Sequence, residues 1–457
     1  MNDKKETGSV AKFAIFSIIG AFLFLVPIPD GAGAFNIPLG FVIGWIGGGI
    51  NAINIGGFGM VYFLACIIIT ISLLFTLLAY AAKPSFIVDN EKLSGLFLCH
   101  PVYLISKIFG TVVAWMVFFG IGPDWLIGWD GGRLMLELIS SNTGLIAIFI
   151  VLGALIPLLT DFGLMEFLGV LIRKIVRGLF TLPGRSSVDL VSSWFGSSAA
   201  GIIITRDQHE KGFYTDREAS AICVNFALVS LPFTFVVASE IGMVGHFPLF
   251  YLVICVVSIL LAVIMPRIWP LRGMKDEYLA GVGKQINEEV EVGSSVFGQA
   301  VERASIRADK TTANQVINTG LSNWLSIFMD LIPVIMAWGT LALIVAFQTP
   351  IFDWLSLPFA WFLYLLRVPG AFDYAPATII GFIDMYVPAL LLGDETYFET
   401  RFVLGALSIV QIIYMAETGI LILKSKMPLN IWHLVIIFLM RTIIALPIIV
   451  LMARLLF

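Results

Sequence analysis

The 457 residues are 59% hydrophobic and only 13% charged, with a mean hydropathy of +0.97 and a formal net charge of −4. A soluble domain could not present such a composition to water, so the chain is predicted to be an all-α polytopic membrane protein. The small negative charge gives no sign of a nucleic-acid partner. The four cysteines and four histidines show no ligand spacing, so no metal site is expected.

Crossing the hydrocarbon core takes roughly 20 apolar residues in a helix. Nine stretches meet this length, so about nine transmembrane helices are expected, and the first of them is predicted to be a retained helix because no small-residue cleavage site follows it. The predicted spans are 12–29, 58–82, 98–120, 144–161, 218–240, 248–268, 323–347, 402–423 and 430–454. Three other apolar stretches, 36–57, 183–207 and 369–394, are interrupted by Gly, Pro, Ser, Asn or acidic residues. The last two are predicted to be re-entrant hairpins, and whether 36–57 crosses or returns stays open.

Lys and Arg residues indicate the orientation of the chain in the membrane. Lys4, Lys5 and Lys12 place the N-terminus in the cytoplasm. Most later basic clusters also fall on the cytoplasmic side if the three interrupted stretches do not span the membrane. Arg401 disagrees, since it lies on the predicted outer face. The expected location is therefore the bacterial inner (plasma) membrane, as a multi-pass protein.

The sequence also contains an internal duplication. The segment LIPLLTDFGL (155–164) is similar to LIPVIMAWGTL (331–341), and each is followed by a predicted interfacial helix, a Pro-Gly pair, a short stretch and two spans. An odd number of crossings between the copies would invert one relative to the other. Inverted repeats are typical of secondary transporters, although a duplication can also be purely structural. The predicted division is an N-terminal scaffold (1–143), a first repeat (144–268), a cytoplasmic linker (269–320) and a second repeat (321–457).

This order of elements resembles the core of concentrative nucleoside transporters. The SSWFGSSAAG segment (192–201) and the length of the chain resemble bacterial YjiH-type membrane proteins of the nucleoside-recognition (Gate) domain class. That class includes spore maturation proteins and the membrane part of ferrous-iron transporter B. The resemblance covers about residues 144–457 and implies an elevator-like transport core, without identifying a solute.

The tips of the two predicted hairpins are candidate solute sites, because a half-helix that begins inside the membrane directs free N–H groups at its surroundings. Ser197 and Ser198 are predicted to cap the second half of the first hairpin and to offer hydroxyls to a solute. Gly381 and Asp384 are their counterparts in the second hairpin. Two alternatives stay open: the small residues only pack helices together, and Asp384 takes part in a salt bridge.

The spans that follow the hairpins carry further candidates near mid-depth. Pro232 is expected to interrupt its helix, and free carbonyls at such a break could coordinate Na⁺. Glu240 and Glu417 could carry a proton or bind a cation, or could lie solvated near helix ends. The predicted solute-binding residues on these spans are Asn225 and Gln411, and the predicted ion-coupling residues are Ser230, Ser408, Glu240 and Glu417.

These observations predict a secondary transporter that moves a small polar solute of the nucleoside, amino acid or dipeptide class. Coupling to Na⁺ or H⁺ is expected because the chain has no nucleotide-binding motif. No enzymatic activity and no cofactor are expected. The expected partners are the lipid bilayer, the solute, and either further copies of the chain or a related membrane protein. The alternative is a non-transporting membrane subunit that gates or assembles with a partner.

Overall fold

The computed structural model describes residues 9–26, 28–29, 35–55, 58–98, 101–128, 131–140, 145–195, 198–279, 295–393, 397–425 and 427–457. Five helical segments in these ranges are long and apolar enough to cross a membrane: Met60–Ala81, Pro101–Phe119, Val244–Gly273, Ala313–Gln348 and Ile431–Leu456. The chain is therefore an all-α membrane protein, as its composition predicts. The count of nine crossings stays a prediction.

The helices are numbered in chain order. The first ten are α1 (Val10–Leu25), α2 (Pro38–Asn51), α3 (Met60–Ala81), α4 (Ser85–Val88), α5 (Glu91–Phe97), α6 (Pro101–Phe119), α7 (Asp124–Ile127), α8 (Gly132–Ser140), α9 (Leu145–Thr160) and α10 (Leu164–Leu179). The next eight are α11 (Ser186–Phe195), α12 (Ser198–Glu210), α13 (Asp216–Phe226), α14 (Leu231–Glu240), α15 (Phe247–Ile264), α16 (Val296–Lys310), α17 (Ala313–Ser326) and α18 (Ile332–Gln348). The last seven are α19 (Ile351–Leu365), α20 (Ala371–Tyr374), α21 (Ala377–Ile380), α22 (Val387–Leu390), α23 (Phe398–Val410), α24 (Ile420–Lys424) and α25 (Ile431–Leu456).

Shorter elements complete the chain. Two antiparallel strand pairs flank α2, namely β1 (Ile28–Pro29) with β2 (Phe35–Asn36), and β3 (Asn54–Ile55) with β4 (Phe58–Gly59). The 3₁₀ turns are Val244–His246, Met265–Arg267 and Leu271–Gly273, and the π-helical turns are Ile327–Leu331 and Met415–Gly419.

The chain forms two compact units. The first unit comprises the chain up to Ile37 together with Ile156–Val316 and Ser356–Phe457, and the second comprises Pro38–Leu155 and Ile317–Leu355. Each unit is described on its own below.

In the second unit, α6 packs closely on α18 and α3. The contact with α18 depends on Gly110, because a Cβ at this position would lie 2.8 Å from the carbonyl oxygen of Pro333. Small residues allow such close approach of helices in membranes.

A buried lysine joins α6 to α3 and α5 in this unit. Lys107 of α6 donates hydrogen bonds to Thr76 Oγ1 (3.3 Å) and to the Leu96 carbonyl (3.2 Å). Its Nζ lies 3.8 Å from Asp330 Oδ1, and the Asp330 side chain is 45% exposed. Asp330 belongs to the π-helical turn Ile327–Leu331, which joins α17 to α18. Ionisable groups inside membrane helices pair in this way because each would be costly alone.

Replacing Lys107 with methionine is expected to lower the free energy of unfolding in detergent by about 1.5–3 kcal/mol, because hydrogen bonds from a charged donor are lost. The double variant Lys107→Met/Asp330→Asn should recover part of this loss, since it also removes the carboxylate left without its cation. Denaturant unfolding of the single and double variants measures the coupling. Strictly additive losses would contradict the pairing.

The first unit contains a helix from the predicted cytoplasmic linker 269–320. Within that stretch α16 packs on α10 and α1. Gly163, with a φ of 92°, begins α10 where a Cβ would collide with the backbone of Ala304 in α16. Lys12 Nζ donates to the Thr311 carbonyl at the end of α16 (2.5 Å). At least this part of the stretch is therefore packed structure.

The short stretches 183–207 and 369–394 also belong to the first unit and differ in form. The first contains α11 and the beginning of α12, which pack on each other. The second contains α20, α21 and α22, each of a single turn, instead of two half-helices. Pro376 and Pro388 explain the difference, because proline cannot continue the backbone hydrogen bonding of a helix.

Two of the predicted spans are interrupted near their middles. Residues 218–240 lie on α13 and α14, with a non-helical break at 227–230. Residues 402–423 lie on α23, the π-helical turn Met415–Gly419 and α24, with a break at 411–414. We call these the first break and the second break.

Candidate functional site

The first break is built by local sequence. Ser230 is the N-cap of α14, its Oγ accepting from the Phe233 N–H (3.5 Å), and Pro232 falls in the first turn. Proline is favoured at the start of a helix, where its missing N–H leaves no hydrogen bond unmade. The break therefore occurs where the sequence predicts it.

The second break has no proline. The Ile413 N–H donates to the Gln411 carbonyl (2.7 Å), and Ile412 between them has a φ of 64°. A β-branched residue is strained in this region. One local contact and one contact from another segment hold the turn: Thr418 Oγ1 accepts from the Tyr414 N–H (3.2 Å), and the Met415 N–H donates to the Phe382 carbonyl (2.8 Å).

Arg441 of α25 joins the two breaks. Its Nε and Nη2 donate to the Val410 carbonyl (3.1 and 2.7 Å), and its Nη1 donates to the Val224 carbonyl (3.0 Å) and to Asn225 Oδ1 (2.8 Å). The residue is 0% exposed. Val224 and Val410 lie in the last turns of α13 and α23, whose carbonyls lack partners within the helix. Arg441 thus fastens the carboxyl ends of two half-helices that are far apart in sequence.

Gln411 begins the second break and is 1% exposed. Its Nε2 donates to the Thr378 carbonyl and to Thr442 Oγ1, both at 2.8 Å. Because a carbonyl can only accept, the amide nitrogen must face Thr378. Its Oε1 is buried and has no hydrogen-bond partner among the described residues. This oxygen lies beside Gly381, where a Cβ would collide with it.

Asp384 lies in the turn between α21 and α22 and is 7% exposed. Its Oδ1 accepts the Tyr386 N–H (2.7 Å), an arrangement that fixes the turn. The Tyr386 hydroxyl in turn donates to Glu240 Oε2 (2.8 Å) at the end of α14. The structure therefore connects two predicted site residues, Asp384 and Glu240, through a tyrosine.

Ser198 is the first residue of α12, and its Oγ lies 2.6 Å from the Tyr414 hydroxyl in the second break. Elsewhere in the same stretch, the small residues pack helices together. A Cβ at Gly201 would collide with Ser193, and Thr205 Oγ1 donates to Asp189 Oδ2 (3.1 Å) between α12 and α11. The packing interpretation therefore holds for Gly201, while Ser198 makes a contact outside the stretch 183–207.

Of the remaining predicted residues, some bond within their own helix or to Arg441, and others lie outside the described residues. Asn225 donates from Nδ2 to the Ala221 carbonyl (2.8 Å), and with its Oδ1 it binds Arg441. Ser408 donates to the Gly405 carbonyl of its own helix (2.9 Å). Ser197 lies outside the described residues. Glu417 belongs to the π-helical turn Met415–Gly419, but its side chain lies outside those described. Within the described part of the chain, no cluster of three or more His, Cys, Asp or Glu side chains could hold a metal ion.

Arg441, Tyr386, Tyr414 and Thr378 are absent from the sequence-based site. A charge in the middle of the apolar stretch 430–454 was the one signal that could have indicated Arg441, because such charges are rare in membrane helices. The tyrosines carry no comparable signal, since most tyrosines in an aromatic-rich membrane chain lie at interfaces.

Comparison with known proteins identifies related sequences. Residues 143–244 match the family model Gate, described as nucleoside recognition. An uncharacterized protein of Alkalihalophilus pseudofirmus is 44% identical over 455 residues, which are 99% of this chain and 96% of the relative. No solved structure matches the chain.

Proposed function

This chain belongs to the Gate (nucleoside recognition) family, and from that premise we propose that it is a secondary transporter that moves a small polar solute across the membrane. The proposed mechanism is elevator-like alternating access, in which the first unit carries the solute site. The solute would be of the nucleoside, amino acid or dipeptide class, and coupling to H⁺ or Na⁺ would supply the driving force. The proposed location is the bacterial inner membrane, with the N-terminus in the cytoplasm.

The observation that best supports this proposal is the pair of breaks held together by Arg441. Irregular backbone at membrane depth is tolerated where protein buries it or where it lines a cavity. Broken helices that meet inside one unit are the usual setting of a transporter's solute and ion sites. Both breaks lie in one compact unit and are joined by four hydrogen bonds.

The order of elements supports an inverted duplication within 144–268 and 321–457. In each repeat a short stretch of interrupted helix precedes a broken helix, and a long apolar helix follows it. The basic residues of the sequence give the two copies opposite orientations. Residues 1–143 would then act as a scaffold, and the whole would cross the membrane about nine times.

The proposed solute site combines Ser198, Gly381, Asp384 and Gln411. Gln411 Oε1 is a buried acceptor with no partner among the described residues, and such atoms are rare unless a ligand or water satisfies them. The Asp384 carboxylate also accepts hydrogen bonds. A solute with N–H or O–H donors matches both groups. Ser197 would lie at the same tip, and Asn225 would contribute by positioning Arg441. Glu240 and Glu417, with Ser230 and Ser408, are the proposed ion-coupling residues.

Uptake into proteoliposomes tests the proposal. Nucleosides, amino acids and dipeptides are screened with a proton gradient, with a sodium gradient and with neither. Gradient-dependent accumulation of one class is the expected result. No flux with any solute, together with no solute-induced change in melting temperature, would contradict transport and favour a membrane subunit that assembles with a partner.

The variant Asp384→Asn is expected to reduce uptake at least about tenfold while leaving the fold intact. Asparagine keeps the acceptor for the Tyr386 N–H but removes the charge, and a hydrogen bond to a charged group is worth about 1.5–3 kcal/mol. The matched control is Asp207→Asn, because Asp207 is an exposed acid of the same unit paired with Lys211. Initial uptake rates measure the effect. Equal rates for both variants would place the solute elsewhere.

A further inference from the structure

At the two breaks, the position that a coupling cation takes in broken-helix transporters is filled by a side chain. Unwound carbonyls and the carboxyl ends of half-helices coordinate Na⁺ in such proteins. Here the carbonyls of Val224 and Val410, at the ends of α13 and α23, bind the guanidinium of Arg441. The third ligand, Asn225 Oδ1, is an amide oxygen of the same chemical kind.

The coordination of Arg441 is nearly complete. Four of its five N–H groups donate to three oxygens at 2.7 to 3.1 Å, and the side chain is fully buried. The three oxygens therefore already have donors. A metal ion could bind them only by displacing the guanidinium.

The charges at the breaks also balance. The carboxyl end of a helix carries a partial charge of about −0.5, so two such ends together offset about one positive charge. Arg441 supplies that charge. Among the side chains that the structure describes, no carboxylate forms an ion pair with it. The half-helix ends are thus the groups that compensate the guanidinium, and no further cation is needed there.

We propose that Arg441 is a built-in cation that replaces a coupling Na⁺ at the joined carboxyl ends of α13 and α23. In its link to coupling, this inference rests on the proposed function. The ends of these two half-helices then stay joined in every state of the protein, and sodium is not needed to hold them. Of the two coupling ions considered, a proton remains, and Glu240, which accepts a hydrogen bond from the Tyr386 hydroxyl, is its proposed carrier.

The first test needs neither a solute nor transport. The melting temperature of the purified full-length protein is measured in NaCl, KCl and choline chloride at equal ionic strength. The three values are expected to agree. A higher melting temperature in NaCl than in the other two salts, with slower hydrogen exchange in 224–231 and 408–415, would overturn the proposal.

The second test removes the built-in cation. Arg441→Ser is expected to melt lower than the wild type and to regain stability from millimolar guanidinium or from NaCl, but not from choline chloride. Arg454→Ser, on the same helix but exposed, is the control and should show no such recovery. A folded Arg441→Ser variant that responds to no cation would overturn the proposal.

A third comparison applies even when Arg441→Ser does not fold. Arg441→Lys keeps the positive charge, whereas Arg441→Gln keeps similar length without it. The lysine variant is expected to melt higher than the glutamine variant, and equal melting temperatures would overturn the proposal. A failed uptake screen would leave all three results unchanged, so the failure of transport and the failure of this inference are distinguishable.

Discussion

Replacement of Arg441 by methionine is expected to lower the free energy of unfolding in detergent by about 3–5 kcal/mol. Methionine fills similar space but donates no hydrogen bond, so the carbonyls of Val224 and Val410 and the Oδ1 of Asn225 lose their donors. Each buried polar group left unsatisfied costs about 1–3 kcal/mol. Denaturant unfolding and the fraction of monodisperse protein after purification measure the loss.

Arg454→Met is the matched control for this prediction. Arg454 lies on the same helix and is 41% exposed; it binds Glu399 (Nε–Oε1 2.8 Å) and donates from Nη2 to the carbonyls of Leu366 and Arg367 (2.8 and 2.9 Å). These contacts are exposed to solvent, where an ion pair is worth about 0–1 kcal/mol, so the control should lose clearly less stability than Arg441→Met. Similar losses in both variants would show that the Arg441 contacts do not hold the breaks together.

The second large effect is expected from Gly381→Ala. The added methyl group would collide with Gln411 Oε1, and the Gln411 side chain cannot move freely because its amide nitrogen makes two hydrogen bonds. Overpacking of this kind costs about 1–3 kcal/mol. The methyl group would also cover the acceptor proposed to bind solute, so uptake should fall by at least about tenfold, the change expected for one lost hydrogen bond of about 1.4 kcal/mol.

Gly393→Ala controls for the loss of glycine in the same short stretch. No atom lies within 4 Å of a Cβ built at Gly393, so this variant should transport and melt like the wild type. Initial uptake rates and melting temperatures of the two variants are compared. Normal uptake by Gly381→Ala would place the solute away from Gln411.

Features encoded locally were predictable from the sequence. Composition alone predicted the helical membrane class, and Pro232 predicted the first break. In each case, nearby residues decide the backbone conformation.

Features that depend on contacts between distant segments were not predictable. At the second break Ile412 has a positive φ, and the adjoining Met415 N–H donates to the carbonyl of Phe382, a residue that no local pattern connects to the break. Arg441 binds Val224, 217 residues away in sequence. In the stretch 369–394, the prolines argue against a plain span and a hairpin of two half-helices is predicted, whereas the structure has three single turns.

The hydrogen bonds of Arg441 also restrict how the first unit can move. They tie α13 to α23, one half-helix from each proposed repeat. A rocker-switch motion, in which the repeats swing apart about a hinge between them, would break these bonds and expose a bare guanidinium in every cycle. Displacement of both half-helices as one rigid body leaves all four bonds intact. The contacts of Arg441 therefore favour movement of the first unit as one rigid body, and they disfavour a mechanism in which the two proposed repeats separate.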